Sequence, residues 1–307
     1  MKEYHISKKY TDKQMENMAN TFVTRSKIDH FIDEDADIYS EDGKLLAKFR
    51  KNVLSENVLN QFYDATYTFT LKAITANRGD ATGSKKRNLR ENPRVHSAIL
   101  GYFNRWAPKQ KIAFRNAGIR APLEVRETRF SMEHPEKFKQ TFPLLRQINQ
   151  KYQSLLPGHF KKQNKKAKNT LFKIPQTSFT TITTNINFQT AIHKDSGDDE
   201  EGFGNLVVIE RGNYDGGETC LPQYGIGINV RQKDILFMDV HEWHGNLPIV
   251  KKNKDAVRLS VVCYLRKNVW KRTKQMTFKK KKKHLNTLRK IKYNSKSKTK
   301  KSFIPIL

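Results

Sequence analysis

RLSVVCYLR, residues 258–266, is the last of five short apolar stretches that together decide the fold of this chain. The other four are SFTTITTNINF (178–188), GNLVVIER (204–211), GIGINV (225–230) and DILFMDV (234–240). Their β-branched and aromatic residues, separated by Gly, Asp and Asn turns, are typical of strands. Short strands at this spacing predict a sandwich or barrel, of which the double-stranded β-helix, or jelly roll, is one form. We expect an α+β protein with its β core in residues 171–268.

Residues 1–170 are predicted to form a helical and hairpin part that supports this core. The stretch ADIYSEDGKLLAKF (36–49) predicts two strands around an Asp42-Gly43 turn, which tolerates positive φ. Residues 56–73 predict a helix with Ser55 as its N-cap. A second helix that ends at Pro157-Gly158 is indicated by one apolar stripe, formed by Leu144, Leu145, Ile148, Tyr152 and Leu155. The lysine-rich residues 158–170 then predict a connection, either a solvated face or a loop that contacts phosphates.

Charge is the most unusual property of the composition. The 307 residues carry a formal net charge of +29, and the mean hydropathy is −0.77. No acidic residue follows Asp255, and residues 269–307 form a basic tail that we expect to be disordered when unbound. Phosphate backbones are the commonest partner of such a surface, although an anionic membrane or an acidic protein would also be attracted to it. Nucleic acid is the partner that we favour.

Cysteine content and hydropathy indicate the compartment. The two cysteines, Cys220 and Cys263, are too few for a disulfide framework, and we expect both to be buried thiols in a reducing environment. No apolar run approaches the roughly 20 residues that span a bilayer, and the first residues lack the apolar stretch of a signal peptide. We expect a soluble intracellular protein with one catalytic domain, in a nucleus or another DNA-containing compartment.

Candidate metal ligands lie at two places in the predicted core. His193 and Asp195 stand at positions i and i+2, so on an extended backbone both side chains point to the same side. A third ligand would come from DVHEWHGN (239–246), either from His241 or from His244. We favour His244, since it lies in the turn that re-enters the barrel and leaves His241 free to support the site or to pack. Two histidines and one carboxylate are the triad of non-haem Fe(II) oxygenases, which keeps positions open for O2 and a 2-oxo acid.

The last predicted strand offers a cationic anchor for such an acid. Period-two alternation puts Arg258 and Ser260 on one face and Leu259, Val261 and Cys263 on the other. A planar guanidinium is the best partner for a carboxylate. The alternative is an edge strand whose polar face merely meets solvent.

These motifs resemble the TET and J-binding-protein (JBP) family of DNA base dioxygenases over most of the chain. The most specific parts, in the order and approximate spacing of that family, are TAIHKDSGD (190–198), GFGNLVVIERGNYDGG (202–217), DILFMDVHEWHGNLPI (234–249) and RLSVVCYLR. Three upstream stretches resemble the N-terminal half of its catalytic domain: TANRGDATG (75–83), ILGYFNRW (99–106) and VRETRFSMEHPEKF (125–138). The resemblance implies a double-stranded β-helix oxygenase core.

Carried over by residue, the resemblance implies Fe(II) at His193, Asp195 and His244, and a 2-oxoglutarate grip formed by Arg258 with Ser260. It also implies that Arg126 reaches the cosubstrate, although Val125 stands where we associate a cysteine with the family. The implied reaction couples decarboxylation of 2-oxoglutarate by O2 to oxidation of the methyl group of 5-methylcytosine or thymine in DNA. The base must leave the duplex, at a cost of a few kcal/mol. Backbone contacts from the basic surface and tail would offset part of that cost.

For several residues, and for the function itself, the sequence allows more than one interpretation. The cluster Tyr102, Phe103, Arg105 and Trp106 either fills the core or stacks on a base. Asn77-Arg78-Gly79 forms either a tight turn or a substrate or cosubstrate loop, and Asn185 and Asn187 are expected to face the same way and line a pocket. The alternative functions are an oxygenase that uses 2-oxoglutarate or ascorbate on an alkylated base or a protein, and a non-catalytic nucleic-acid-binding protein.

Overall fold

The computed structural model describes residues 1–76, 78–83, 93–105, 108–116 and 123–300, with the backbone alone for residues 79, 80, 108–111 and 291–300. The helices of these residues are α1 (Asp12–Met18), α2 (Glu56–Lys72), α3 (Pro108–Asn116), α4 (Arg129–Glu133), α5 (Pro135–Gln140), α6 (Phe142–Leu155), α7 (Pro157–Lys168), α8 (Lys267–Thr273) and α9 (Phe278–Lys300).

The strands fall in two groups along the chain. The first group is β1 (Lys2–Ile6), β2 (His30–Ile32), β3 (Ala36–Ser40), β4 (Leu45–Arg50), β5 (Ile74–Thr75), β6 (Val95–Phe103) and β7 (Arg126–Glu127). The second is β8 (Thr181–Ile186), β9 (Gly204–Arg211), β10 (Tyr214–Gly216), β11 (Thr219–Leu221), β12 (Ile226–Ile228), β13 (Ile235–Met238), β14 (Gly245–Asn246), β15 (Ile249–Lys251) and β16 (Val257–Tyr264). All five stretches expected to be strands contain one.

Two sheets form the body of the protein. Within the described residues, the larger sheet has ten strands in the order β1-β3-β4-β13-β9-β16-β8-β6-β5, with β7 paired to β6. The smaller sheet has the order β14-β11-β12-β2, and β10 pairs separately with β15. The long strand β16 is antiparallel to both of its neighbours, with Ser260 opposite Asn185 on β8 and Val208 on β9. Strands from residues 1–170 therefore extend the same large sheet that residues 171–268 build.

The large sheet separates two apolar layers. On one face, Leu259 and Val261 pack with the buried stripe of α6 and with Phe62 of α2. Between the sheets, residues of β3, β4, β9 and β13 pack against those of β11 and β12, including Ile38 and Ile226. Side chains alternate across a strand, so one face of β16 serves the helical core and the other faces the smaller sheet.

Local signals were sufficient for the hairpin and for two helices. The hairpin β3–β4 turns at Gly43, whose φ is +81°, as the Asp-Gly dipeptide predicts. The α6 stripe is buried from Leu144 to Tyr152, and Leu155 is half-buried, so the expected inner face is confirmed. Ser55 is the N-cap residue of α2, as expected, although its side chain makes no capping hydrogen bond.

The prediction of a connection over residues 158–170 is wrong, because α7 covers most of it. Pro157 occupies the start of the helix, where its missing N–H costs nothing. Phe160, Gln163 and Ala167 are buried at spacings of three and four residues. Lys161, Lys162 and Lys165 are exposed on the outer face, so the amphipathic pattern was hidden by the composition.

Helix α9 begins within the basic tail and packs on the body. Leu285 is buried with Val125 and Phe172, and Arg289 Nη2 lies 2.8 Å from a carboxylate oxygen of Glu127. The division of the chain at residues 170 and 268, and disorder of the unbound tail, stay predictions. Cys220 and Cys263 are free and buried, as expected. In the described part of the chain, no helix is long and apolar enough to cross a membrane.

Candidate metal centre

The backbone brings the segment His193-Lys194-Asp195 next to the turn that follows β13. His193 and His244 form an antiparallel bridge in which each N–H donates to the other's carbonyl, with both N···O distances at 2.9 Å. The N–H of Asp195 donates to the carbonyl of Val240 at 2.9 Å. Two segments about 50 residues apart are thus joined by main-chain bonds, which place their side chains on one site.

The three side chains form a donor set that suits a metal. Nδ1 of His193 lies 2.7 Å from the carbonyl of Ala191, and Nδ1 of His244 lies 2.9 Å from that of Glu242. When these nitrogens carry the proton, both Nε2 atoms are free to coordinate. Each Nε2 lies 3.8 Å from an oxygen of Asp195, and the three ligand atoms lie within 4.8 Å of one another.

The protonation state of His244 also fits metal binding. Burial, followed by the nearby His193, lowers the pKa of His244 to about 4. The imidazole is therefore neutral at pH 7, which is the form that coordinates a metal. Two neutral imidazoles and one carboxylate are the set used by non-haem Fe(II) oxygenases.

His241 lies behind this cluster. Its Nδ1 is 3.0 Å from the main-chain carbonyl of Asp195, and its N–H donates to Oδ1 of Asp239 at 3.0 Å. Its Nε2 is buried without a hydrogen-bond partner among the described residues. The structure brings His244, and not His241, into the cluster with His193 and Asp195; the assignment of these three as ligands stays a prediction.

Arg258 is a buried cation with an unused nitrogen. The residue is 4% exposed, and its Nη2 is buried without a hydrogen-bond partner in the part of the chain that the structure describes. Gly217, with φ of +79°, approaches so closely that a Cβ there would lie 3.0 Å from Nε of Arg258. An unpaired guanidinium nitrogen in a tight cradle fits a carboxylate such as the distal one of 2-oxoglutarate. Because β16 lies between β8 and β9, the alternative of an edge strand is wrong.

A row of polar side chains crosses the sheet beside Arg258. Ser260 accepts from Asn185 Nδ2 at 3.3 Å, Asn185 Oδ1 accepts from Ser97 at 2.7 Å, and Ser97 accepts from Nε of Arg78 at 2.9 Å. Burial lowers the pKa of Arg78, and the charges of Tyr264 and Asp195 oppose that shift.

The two asparagines do not act together. Asn185 belongs to this row of polar side chains, which agrees with the expectation that it lines a pocket. Asn187, however, follows β8 with φ of +47°. Its Oδ1 accepts from the N–H of Arg258 at 2.7 Å, so it supports the backbone and not a pocket. Asn77 lies outside the described residues.

Arg126 is held at the β6–β7 edge by main-chain oxygens. Its Nε donates to the carbonyl of Arg105 at 2.7 Å and its Nη1 to that of Glu127 at 3.3 Å. Its contact with the cosubstrate stays a prediction. In the aromatic cluster, Tyr102 packs on Phe172, whereas Phe103 lies under the guanidinium of Arg266 at 4.1 Å. Trp106 lies outside the described residues.

Two further residues at this site were missed from the sequence. Asp198 is buried, and burial together with the charge of Asp195 raises the pKa of its carboxyl well above the ordinary value. Arg266 lies against Gly197, where a Cβ would come within 2.6 Å of its Nη1. Asp198 belongs to an acidic run that looks exposed in the sequence, so its burial had no local signal.

The family model of Tet_JBP, the oxygenase domain of the 2OGFeDO superfamily, matches residues 112–267. This chain belongs to the Tet_JBP family. Thymine dioxygenase JBP1 of Trypanosoma brucei brucei is 34% identical over 173 residues, which are 56% of this chain and 19% of that protein. The bifunctional helicase and thymine dioxygenase JBP2 of Leishmania tarentolae is 34% identical over 165 residues, 54% of this chain and 15% of that protein. The chain thus spans less than a fifth of these relatives.

A solved structure extends the comparison to the fold. The structure titled NgTET1 in complex with 5mC DNA superposes with a TM-score of 0.51 at 14% identity, covering 86% of this chain and 94% of the other. This likeness supports the jelly-roll fold class, and both the predicted family and the predicted fold are confirmed. Membership of the Tet_JBP family implies Fe(II), 2-oxoglutarate and O2, and the donor set with the unpaired Arg258 nitrogen fits them.

Proposed function

We propose that this Tet_JBP chain uses Fe(II), 2-oxoglutarate and O2 to oxidise the methyl group of a 5-methylpyrimidine, 5-methylcytosine or thymine, in DNA. The proposal rests on one observation. A His193–Asp195–His244 donor cluster lies on the same fold as a buried Arg258 that keeps a nitrogen free. The names of the curated relatives, which are thymine dioxygenases, support the choice of a methylpyrimidine.

Each residue of the site has a distinct role in this proposal. Bound Fe(II) supplies O2 activation coupled to conversion of 2-oxoglutarate into succinate. His193 and His244 would hold the metal through Nε2 and Asp195 through its carboxylate. The contacts of Nδ1 with the carbonyls of Ala191 and Glu242 fix the orientation of both rings. Arg258 would bind the distal carboxylate of 2-oxoglutarate, in a setting where burial strengthens a charge-assisted hydrogen bond.

The DNA would be held mainly by its backbone. The methyl group is reached once the base leaves the duplex, and lysines and arginines offset part of the cost without reading sequence. We assign these contacts to the basic surface and to residues 269–307, which carry no acidic residue. Such a protein would act in a nucleus or another DNA-containing compartment.

The test is nucleoside mass spectrometry after incubation with Fe(II), 2-oxoglutarate and two duplexes of one sequence. One duplex carries 5-methylcytosine with uracil in place of thymine, and the other carries thymine without 5-methylcytosine. An oxidised nucleoside from either duplex, formed together with succinate, supports the proposal. If iron-loaded protein yields succinate but no oxidised nucleoside, the alternative substrates, an alkylated base or a protein, are favoured instead.

Variants test the metal centre separately. Asp195→Ala and His244→Ala should abolish both Fe(II) binding and turnover, because each removes one of three ligands. His241→Ala should keep part of the activity, since the His241 ring hydrogen-bonds the main-chain carbonyl of Asp195 and not its carboxylate. Unchanged Fe(II) affinity in Asp195→Ala would favour the non-catalytic nucleic-acid-binding alternative, and a His241→Ala variant more damaged than His244→Ala would overturn the ligand assignment.

A further inference from the structure

Lys44, in the β3–β4 turn, reaches the loop that carries His244. Its Nζ lies 2.9 Å from Oδ2 of Asp239 and 2.5 Å from Oε1 of Glu242, across nearly 200 residues of sequence. The two carboxylate side chains are 13% and 14% exposed, whereas that of Lys44 is 47% exposed. One ammonium therefore bridges both sides of a short turn just before His244.

The bridged residues connect to the donor cluster, Glu242 directly and Asp239 through His241. The carbonyl of Glu242 lies 2.9 Å from Nδ1 of His244, the nitrogen whose partner sets the orientation of that ring. On the other side, Oδ1 of Asp239 accepts from the N–H of His241, and Nδ1 of His241 lies 3.0 Å from the carbonyl of Asp195. Both anions that Lys44 binds are thus one or two contacts away from a candidate ligand.

The turn that presents Lys44 is itself well fixed. The N–H of Ser40 donates to the carbonyl of Lys44 at 2.9 Å, and the N–H of Gly43 donates to the carbonyl of Ser40 at 2.9 Å. The N–H of Asp239 donates to the carbonyl of Leu46, two residues beyond Lys44, at 2.9 Å. The hairpin and the loop are therefore held in register, which places the backbone of Lys44 opposite its two partners.

Two carboxylates three residues apart would repel each other without this cation. Both are largely shielded from water, so their repulsion is less screened than that between exposed groups. Relief of the repulsion by opening of the turn would move the carbonyl of Glu242 and with it the ring of His244. An isolated surface ion pair contributes little, but a bridge between two shielded anions belongs to a network.

We propose that Lys44 is a positioning residue for the metal centre, which holds residues 239–244 in the conformation that aims Nε2 of His244 at the metal. The inference rests on the proposed function, because it assumes that His244 is a ligand. Lys44 does not touch the metal, the cosubstrate or the DNA base in this proposal. Its effect passes through Asp239 and Glu242.

The experiment measures the affinity of the full chain for Mn(II), as a redox-stable probe, and for Fe(II) without oxygen, by calorimetric titration. Lys44→Met should raise the Kd of both metals by up to about tenfold, the lower end of what loss of a ligand's direct hydrogen-bond partner costs, because Lys44 acts one contact further out. Lys44→Arg should restore most of the affinity, since a guanidinium can bind both carboxylates. Lys48→Met is the matched control: Lys48 belongs to the same hairpin and pairs with Asp37 at 2.6 Å, away from the loop.

A second variant separates positioning from a general loss of folding. Glu242→Gln removes the repulsion itself, so it should bind metal nearly as well as the parent chain does, and Lys44→Met added to it should cost less than in the parent chain. An unchanged metal Kd in Lys44→Met, or an equal loss in Lys48→Met, would overturn the inference. If the parent chain binds no metal, or if His244→Ala binds metal as well as the parent does, the proposed function itself fails. If His244→Ala loses metal affinity and Lys44→Met does not, only the inference about Lys44 fails.

Discussion

Gly217 packs against Arg258 more closely than a Cβ usually approaches its neighbours. In Gly217→Ala the new Cβ would lie 3.0 Å from Nε and 3.1 Å from Cδ of Arg258, so the guanidinium would have to shift. Since a hydrogen bond to a charged group contributes about 1.5–3 kcal/mol, we expect the Kd of 2-oxoglutarate to rise on the order of tenfold or more. Calorimetric titration at saturating Mn(II) measures this change.

The backbone cost of that substitution needs its own control. The φ of Gly217 is +79°, so alanine there also strains the main chain by about 1 kcal/mol. Gly43 has a φ of +81°, and a Cβ added there would meet no atom within 4 Å, so Gly43→Ala carries the same strain without a clash. We expect both variants to melt at a lower temperature, but 2-oxoglutarate affinity to fall in Gly217→Ala alone. Equal 2-oxoglutarate affinities in the two variants would contradict the idea that close packing of Gly217 positions Arg258 for the cosubstrate.

At the scale of elements, the predictions succeeded where a local pattern was enough. The Asp42-Gly43 dipeptide specifies its own turn, and the spacing of His193 and Asp195 places two side chains on one face before any tertiary contact forms. Helix α7 was missed because its buried positions include Gln163, while lysines dominate the rest. The burial of Asp198 and the position of Arg78 depend on loops that pack only in the folded chain, and periodicity carries no information about them.

The hairpin β3–β4 contains a buried ion pair whose loss should show in the pH dependence of stability. Burial alone would raise the pKa of Asp37, but hydrogen bonds from Lys48 and Arg50 hold it below its ordinary value. A depressed carboxyl pKa contributes stability above the unfolded value of about 3.9, and this is lost as pH falls through the folded value. Asp37→Asn should lower the free energy of unfolding at pH 7 by about 3 kcal/mol, because it leaves Arg50 buried beside a neutral partner.

Urea unfolding between pH 3 and pH 7 checks that expectation. The gap between the parent and Asp37→Asn should be widest near pH 7 and should narrow below about pH 4, where the carboxyl takes up a proton first in the unfolded chain and, at still lower pH, in the folded one. Asp33→Asn is the control, because Asp33 pairs with Lys51 at an exposed position. A gap that stays constant with pH would show that Asp37 stabilises the hairpin without its charge.

On the scale of the whole molecule, the net charge of +29 should be visible as salt dependence of DNA binding. Residues 291–307 carry five lysines, at positions 292, 296, 298, 300 and 301. Each phosphate contact contributes about 0.9 to the slope of log K against log salt, so changing all five to glutamine should reduce the slope by up to about 4.5. The control is a variant with the same net charge, +24 (29 − 5). In it, five exposed lysines outside the tail are changed to glutamine: Lys13, Lys72, Lys137, Lys161 and Lys254. If the tail contacts the backbone directly, its variant loses more slope than this one, whereas equal losses in a fluorescence-anisotropy titration would mean that only total charge attracts the DNA.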